Sequence, residues 1–260
     1  MPRLAANLSM MFQETPFLDR FEAAQECGFT GVEYLFPYPF PKEALAEQLA
    51  RHGLTQALHN LPAGDWAKGE RGIACLPGRE GEFRDGVGLA LSYAKALGCG
   101  RLNCLVGIPP KDSEPGQVRA TLVANLRFAA RELEGAGVKL LVEPCNTYDI
   151  PGFYLSRADE TLKLFDEVGE RNLWLQYDIY HMQRMEGELT ATIMRLLPRI
   201  AHIQVADNPG RNEPGTGEIN YDFLFRRLDE IGYEGWIGCE YKPRTTTLEG
   251  LGWLERASAA

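Results

Sequence analysis

Three carboxylates and one amide, Glu143, Asp178, Glu240 and Gln204, each close a short apolar run: KLLVE, LWLQYD, GWIGCE and IAHIQ. Pro144 follows Glu143 and cannot donate a ladder hydrogen bond, so a strand there has to stop. A carboxylate at such a point must be paired, metal-bound or solvated. If the four ends meet, three anions in a small volume repel one another and push their pKa values up. A divalent cation relieves that repulsion. Oxygen donors suit Mg²⁺, with Mn²⁺ as the alternative, better than a structural zinc. No two of the four lie within ten residues of each other, so the fold must bring them together.

The elements that could do so follow a beat. Short apolar runs at 3–9, 31–36, 54–60, 101–107, 138–144, 173–178, 200–207 and 235–240 alternate with longer amphipathic stretches. The stretch 16–29 begins with Pro and ends at Gly, the asymmetry of a helix start and stop. The stretch 117–137 has helical spacing and also ends at Gly. In the stretch 155–169, Ser156 is expected to be the N-cap, with Asp159 three residues on. Eight strands alternating with helices predict one closed parallel barrel, an α/β (β/α)8 domain over 1–260. Asn7 to Glu33, Glu33 to His59 and Asp178 to Gln204 each span 26 positions. In such a barrel the C-terminal strand ends share one mouth, so the four oxygen-bearing side chains converge.

Other residues fall near that mouth. His59 ends the third strand and is expected to point into it. His181 follows the sixth strand closely and is a candidate substrate or proton partner. Lys242 follows Glu240 by two residues and could bind a substrate carboxylate or pair with the acidic cluster. His202 lies deeper and reads as a hydrogen-bonded core residue. The segment at about 60–85, rich in Gly, Pro and charge, is a long loop excursion on the same face, of the kind that covers or binds a substrate. The acidic loop 207–220 lacks the GxGxxG pattern of a phosphate cradle.

Composition limits the partners. The chain has 260 residues, 45% hydrophobic and 24% charged, with a formal net charge of −9. That charge argues against a nucleic-acid footprint, which needs clustered Lys and Arg. It leaves room for a small anionic substrate, because one local cation suffices. The six cysteines form no CxxC pair and read as buried, reduced thiols. No apolar run reaches the length of a membrane span, and the N-terminus lacks a signal-peptide core. A cytoplasmic protein without membrane partners is expected, and a homo-oligomer is allowed.

The blocks NLSMMF, LHNLPAGDWAKGERGIACLPGREGEFRDGV, VEP, QYDIYHMQRMEGEL, HIQVADNPGRNEPGTGEINY and GCEYKP resemble the hydroxypyruvate isomerase family, within the xylose-isomerase-like TIM barrels. The related 2-oxo-tetronate isomerases share most of these motifs. The resemblance implies a divalent metal held by Glu143, Asp178, Gln204 and Glu240, with Glu143 and Glu240 as the acid/base pair. It implies interconversion of 3-hydroxypyruvate and tartronate semialdehyde through an enediolate, with a small 2-oxo or hydroxy acid as the ligand. The wider ketose 3-epimerases usually carry histidine at the position of Gln204, a departure that removes a nitrogen donor. The alternatives are a 2-oxo-tetronate isomerase, a ketose 3-epimerase and a non-catalytic binder of small acids or polyols. Clustered, mutually repelling acids disfavour the last.

Overall fold

A computed structural model of the chain describes residues 3–255. Eight strands form a closed, all-parallel barrel in sequence order. They are β1 Arg3–Asn7, β2 Gly31–Glu33, β3 Thr55–Asn60, β4 Arg101–Cys104, β5 Lys139–Val142, β6 Leu173–Asp178, β7 Ile200–Gln204 and β8 Trp236–Cys239. The helices are α1 Arg20–Glu26, α2 Lys42–His52, α3 Glu80–Leu97, α4 Pro115–Gly135, α5 Ala158–Val168, α6 Ile179–Met185, α7 Leu189–Leu196 and α8 Tyr221–Glu230. Among the described residues no helix is long and apolar enough to cross a membrane. All six cysteines are free, and five of them are buried.

The outward strand faces carry the apolar side chains that hold the helices. In α4, Val118, Leu122, Leu126, Ala129 and Leu133 are buried at helical spacing against that layer. Two details differ from expectation. The excursion after β3 runs over 61–79 and not to 85, because α3 already starts at Glu80. Ser156 is not the cap of α5; that position falls to Arg157, whose side chain caps nothing. The free amide of Ala158 is instead taken by the Glu186 carboxylate, which arrives from the end of α6 at 2.9 Å. A carboxylate is favourable at a helix N-terminus whether it comes from the sequence neighbour or from another element.

Alternate side chains of every strand face the barrel axis. The last inward position is polar on all eight: Asn7, Glu33, Asn60, Asn103, Glu143, Asp178, Gln204 and Glu240, none more than 5% exposed. At the opposite end, Trp236 and Trp174 fill the interior, with Arg3 4.2 Å over the first ring and Lys139 4.0 Å over the second. Glycines make room for this filling. A Cβ built at Gly31 runs into the Trp236 ring, and one at Gly238 runs into the Glu33 carboxylate.

The Gly31→Ala variant therefore overfills the barrel floor. It should lose about 1–3 kcal/mol, seen as a lower denaturant midpoint with an unchanged slope. An unchanged midpoint would mean that the Trp236 ring can swing aside freely.

Candidate active site

Each side chain at the mouth is aimed by a local device. Glu143 follows the last residue of β5, and its Oε2 accepts a hydrogen bond from Asn103 Nδ2 at 3.0 Å. Asp178 ends β6 and caps α6: its Oδ1 accepts from the amides of Tyr180 at 2.8 Å and His181 at 3.4 Å. The cap fixes the carboxylate and leaves Oδ2 buried without a hydrogen-bond partner. Glu240 follows β8, and its Oε2 lies 2.6 Å from Arg211 Nη2. Carboxylate oxygens of Glu143, Asp178 and Glu240 and a ring nitrogen of His181 all lie within 4.8 Å of one another.

Burial and mutual repulsion act on this cluster. Desolvation first, then Glu240 and Asp178, hold the Glu143 carboxyl well above the usual carboxylate range. Burial pushes Asp178 up to about 6, against the opposing pull of Arg211. Burial pushes Glu240 up to about 8, again against Arg211. These are the signs of acids crowded into a dry site.

His181 belongs to the site, and its protonation can be read from its neighbours. The Asn146 backbone N–H donates to Nδ1 at 3.2 Å. A backbone amide can only donate, so Nδ1 accepts and the neutral ring carries its hydrogen on Nε2. Burial, helped by Arg211 and Arg184, holds the imidazole well below its ordinary pKa, so it stays neutral. Nε2 lies 3.6 Å from Asp178 Oδ2 and 3.8 Å from Glu143 Oε1. It therefore presents an N–H to the cavity and not a lone pair for a cation.

Gln204 also stands in the polar layer, with its amide engaged. Its Oε1 accepts from Gln176 Nε2 at 2.6 Å, and its Nε2 donates to Glu33 Oε1 at 2.8 Å. Glu33 in turn accepts from Asn7 at 2.9 Å and meets His202 Nε2 at 2.6 Å. His202 is thus the buried, hydrogen-bonded residue expected from its depth.

His59 is not at the mouth. The register of β3 against β2 shifts between Val32 and Glu33, so Glu33 sits beside Leu58. One residue of slip sends a side chain to the other face of a strand. Asn60 takes the inward place, where its Oδ1 accepts from Asn103 Nδ2 at 3.2 Å. His59 faces outward, wholly buried, its ring 6.3 Å from that of Tyr38. Burial drives its pKa down to about 3.

Arg211 was not singled out from the sequence, although it is the one cation of the loop 207–220. That loop is organised from within. The Asp207 carboxylate accepts from the amides of Asn208, Gly215, Gly217 and Ile219 at 2.8–3.1 Å. An internal carboxylate thus takes the amides that a phosphate would need. Arg211 adopts a left-handed backbone, φ 55°, and its guanidinium lies 5.2 Å over the Tyr180 ring. Lys242 stands exposed at the rim, its backbone amide 2.8 Å from the Arg211 carbonyl. The resulting cavity, about 550 Å³, is lined by Glu143, Asp149, Tyr180, His181, Arg211, Glu240 and Lys242 and by Trp66 and Arg71 of the excursion.

Comparison with known proteins adds family information. A family described as xylose isomerase-like TIM barrel matches residues 21–257. The chain is 58% identical to hydroxypyruvate isomerase of Escherichia coli (strain K12), over 98% of this chain and 99% of that one. It is 50% identical to 2-oxo-tetronate isomerase of Cupriavidus necator, over 98% of each chain. A crystal structure described as an AP endonuclease, family 2, from Brucella melitensis superposes with a TM-score of 0.95 at 47% identity, covering 98% of both chains.

The raised carboxylates make the chelated protein pH-sensitive. Between the ordinary Glu value of 4.5 and about 8, folded Glu240 holds a proton that the unfolded chain has lost. Its favourable contribution is full below pH 4.5 and disappears as pH rises toward 8. The melting temperature of metal-free protein should fall by several degrees from pH 5 to pH 8. Glu240→Gln should flatten that decline, and a wild-type curve that rises over this interval would count against the crowded-acid description.

Proposed function

This chain belongs to the xylose isomerase-like TIM-barrel family and is an isomerase, and from that premise we propose that it interconverts 3-hydroxypyruvate and tartronate semialdehyde by proton transfer. The observation that carries the reading is the pair Glu143 and Glu240. They come from the non-adjacent strands β5 and β8 and meet at one buried cluster beside a neutral Nε2–H donor. Two carboxyl groups flanking a small substrate can remove a proton from one carbon and deliver one to its neighbour.

In the direction from hydroxypyruvate, Glu240 takes a proton from C3, the hydroxymethyl carbon. Burial keeps Glu240 protonated to about pH 8 in the metal-free protein; Arg211 at 2.6 Å and a bound cation together would shift it to the ionised form that a base requires. Glu143, whose carboxyl is held well above the usual range by burial and by Glu240 and Asp178 against the Asn103 hydrogen bond, starts protonated and delivers its proton to C2. Between the two transfers the substrate is an enediolate, and the hydroxyl hydrogen moves from O3 to O2. The His181 Nε2–H and the Arg211 guanidinium face the oxygens on which negative charge develops, where fixed donors contribute most. The wide energetic gap between a carbon acid and a carboxylate is what these contacts must lower.

The donor set also fits a divalent cation. Asp178 Oδ2 is a buried acceptor with no hydrogen bond, and the clustered donor atoms lie close enough for metal–oxygen bonds of roughly 2.0–2.6 Å. Glu143, Asp178, Gln204 and Glu240 would hold Mg²⁺ or Mn²⁺, which supplies orientation of the substrate oxygens and stabilisation of their charge. Gln204 keeps a second lone pair on Oε1 beside its bond from Gln176.

A four-carbon 2-oxo-tetronate is the second reading, favoured by the 50% identical relative and by a cavity of about 550 Å³ with room beyond three carbons. A net charge of −9 favours either small acid over DNA.

Chelated protein should lose activity and regain it with Mg²⁺ or Mn²⁺; full turnover by protein shown metal-free by elemental analysis would remove the metal from the proposal. A panel of hydroxypyruvate, 2-oxo-tetronate and neutral ketoses ranks the substrates. In heavy water, deuterium should enter the carbon that gains a proton, whereas product without solvent label would mean that the substrate's own hydrogen is carried across. Glu143→Gln and Glu240→Gln should each lower turnover by roughly 10²-fold or more, with metal content measured alongside. Wild-type turnover in either variant would overturn that residue's role.

A further inference from the structure

The cavity has four basic side chains in its wall, and they are not equivalent. Arg211 is paired with Glu240 at 2.6 Å, and Arg184 with Asp149 at 3.3 Å. Among the described residues, Arg71 and Lys242 have no carboxylate within ion-pair distance. Lys242 is exposed on a flexible stem at the rim. Arg71 is held. Its Nη1 donates to the Glu70 carbonyl at 2.7 Å and to the Trp66 carbonyl at 3.1 Å, and its guanidinium lies 4.0 Å over the Trp66 ring. Those bonds use one nitrogen and leave Nε and Nη2 free to form a fork, the geometry that matches a carboxylate.

The segment that carries Arg71 is built to hold it still. Gly72 pairs with Val106 in an isolated antiparallel bridge, and the Cys75 amide donates to the Val106 carbonyl at 2.9 Å. Gly72 has φ +114°, and a Cβ there would run into the Leu105 carbonyl, so only glycine permits this approach. Glu70 accepts from the Asp65 amide at 2.5 Å and forms an ion pair with Arg79. Asn125 of α4 donates to the Ala74 carbonyl at 2.9 Å. The excursion is thus stitched to the end of β4 and to α4, and Arg71 faces the cavity from a fixed backbone.

We propose that Arg71 is the specificity-determining residue of the site: its forked guanidinium binds the substrate's carboxylate and selects small 2-oxo or hydroxy acids over neutral sugars, with Lys242 as a secondary cation at the rim. This rests on the isomerase reading above for its reaction and names the group that chooses the substrate. Arg184 and Arg211 are already engaged by Asp149 and Glu240 of the wall. A further ordered cation, unpaired and facing the cavity, is placed to meet an anion from outside.

The experiment compares two three-carbon ketones that differ at one end, hydroxypyruvate and dihydroxyacetone, on wild type, Arg71→Met and Arg71→Lys. For Arg71→Met, kcat/KM on hydroxypyruvate should fall about tenfold or more, chiefly through KM, the size expected for a lost charge-assisted hydrogen bond. Activity on dihydroxyacetone should stay within about twofold, and Arg71→Lys should recover part of the loss. Binding of pyruvate to the metal-loaded protein, by calorimetry, should weaken in parallel, with melting temperatures unchanged. Equal losses on both substrates, or wild-type pyruvate binding in Arg71→Met, would overturn the assignment. If wild type does not turn over hydroxypyruvate, the isomerase reading fails by itself, and pyruvate binding still decides Arg71: a tenfold loss supports it, and unchanged or absent binding overturns it.

Discussion

Everything at the mouth of this barrel follows from burying four carboxylates in one layer. Glu33, Glu143, Asp178 and Glu240 are each no more than 5% exposed, and an uncompensated buried charge is among the most destabilising features a protein can carry. The fold answers each acid separately. Glu33 is enclosed by Asn7, Gln204 and His202. One oxygen of Asp178 is spent on a helix cap, and Glu143 has an asparagine. Glu240 receives a guanidinium carried across the mouth by a loop. The other oxygen of Asp178 has no hydrogen bond and, among the described residues, only Arg211 at 3.9 Å to offset its charge, and the repulsion among Glu143, Asp178 and Glu240 remains.

The two irregular segments complete this balance from outside the barrel. The loop after β7 folds around the Asp207 carboxylate and delivers Arg211 to the acids. The excursion after β3 is crosslinked through Glu70 and Arg79 and brings Trp66 and Arg71 over the cavity. Both are ordered mainly by hydrogen bonds of their own, with isolated β-bridges at Gly72–Val106 and Asp207–Asn212 and one 3₁₀ turn at Trp66–Lys68. Their geometry can therefore be set independently of the strands, as is common where barrel loops carry function.

The alternation of apolar runs was enough to locate all eight strands and the acidic ends of three of them, because buried parallel strands read as continuous hydrophobic stretches. It failed where the period breaks. His59 falls 26 residues after Glu33, as the beat demands, but the shifted register between Val32 and Glu33 hands the inward place to Asn60. Nothing in GVEYLF signals that shift, which depends on how β2 meets β3. Ser156 was a sound cap by local rules and lost to Glu186, a residue thirty positions away. Arg211 was invisible for a similar reason: its role comes from the path of a loop held by Asp207, and a lone arginine among Gly and Pro gives no local sign of it.

The chain of amides and acids behind Gln204 also shapes how this site can diverge. Gln176 gives a hydrogen to Gln204, Gln204 gives one to Glu33, and Glu33 also meets His202 and sits against Gly238. The glutamine at 204 agrees with the hydroxypyruvate isomerase pattern, whereas the wider ketose 3-epimerases usually carry histidine at that place. A single exchange here would remove the acceptor of the Gln176 hydrogen and one of the two donors to Glu33 Oε1, where Asn7 would remain. Exchange of the amide for an imidazole therefore disturbs the hydrogen bonding of Gln176 and Glu33 together with the site itself. Position 204 is coupled in this way to Gln176 and Glu33 behind the site, so the ligand and its buried supports have to be exchanged as a set.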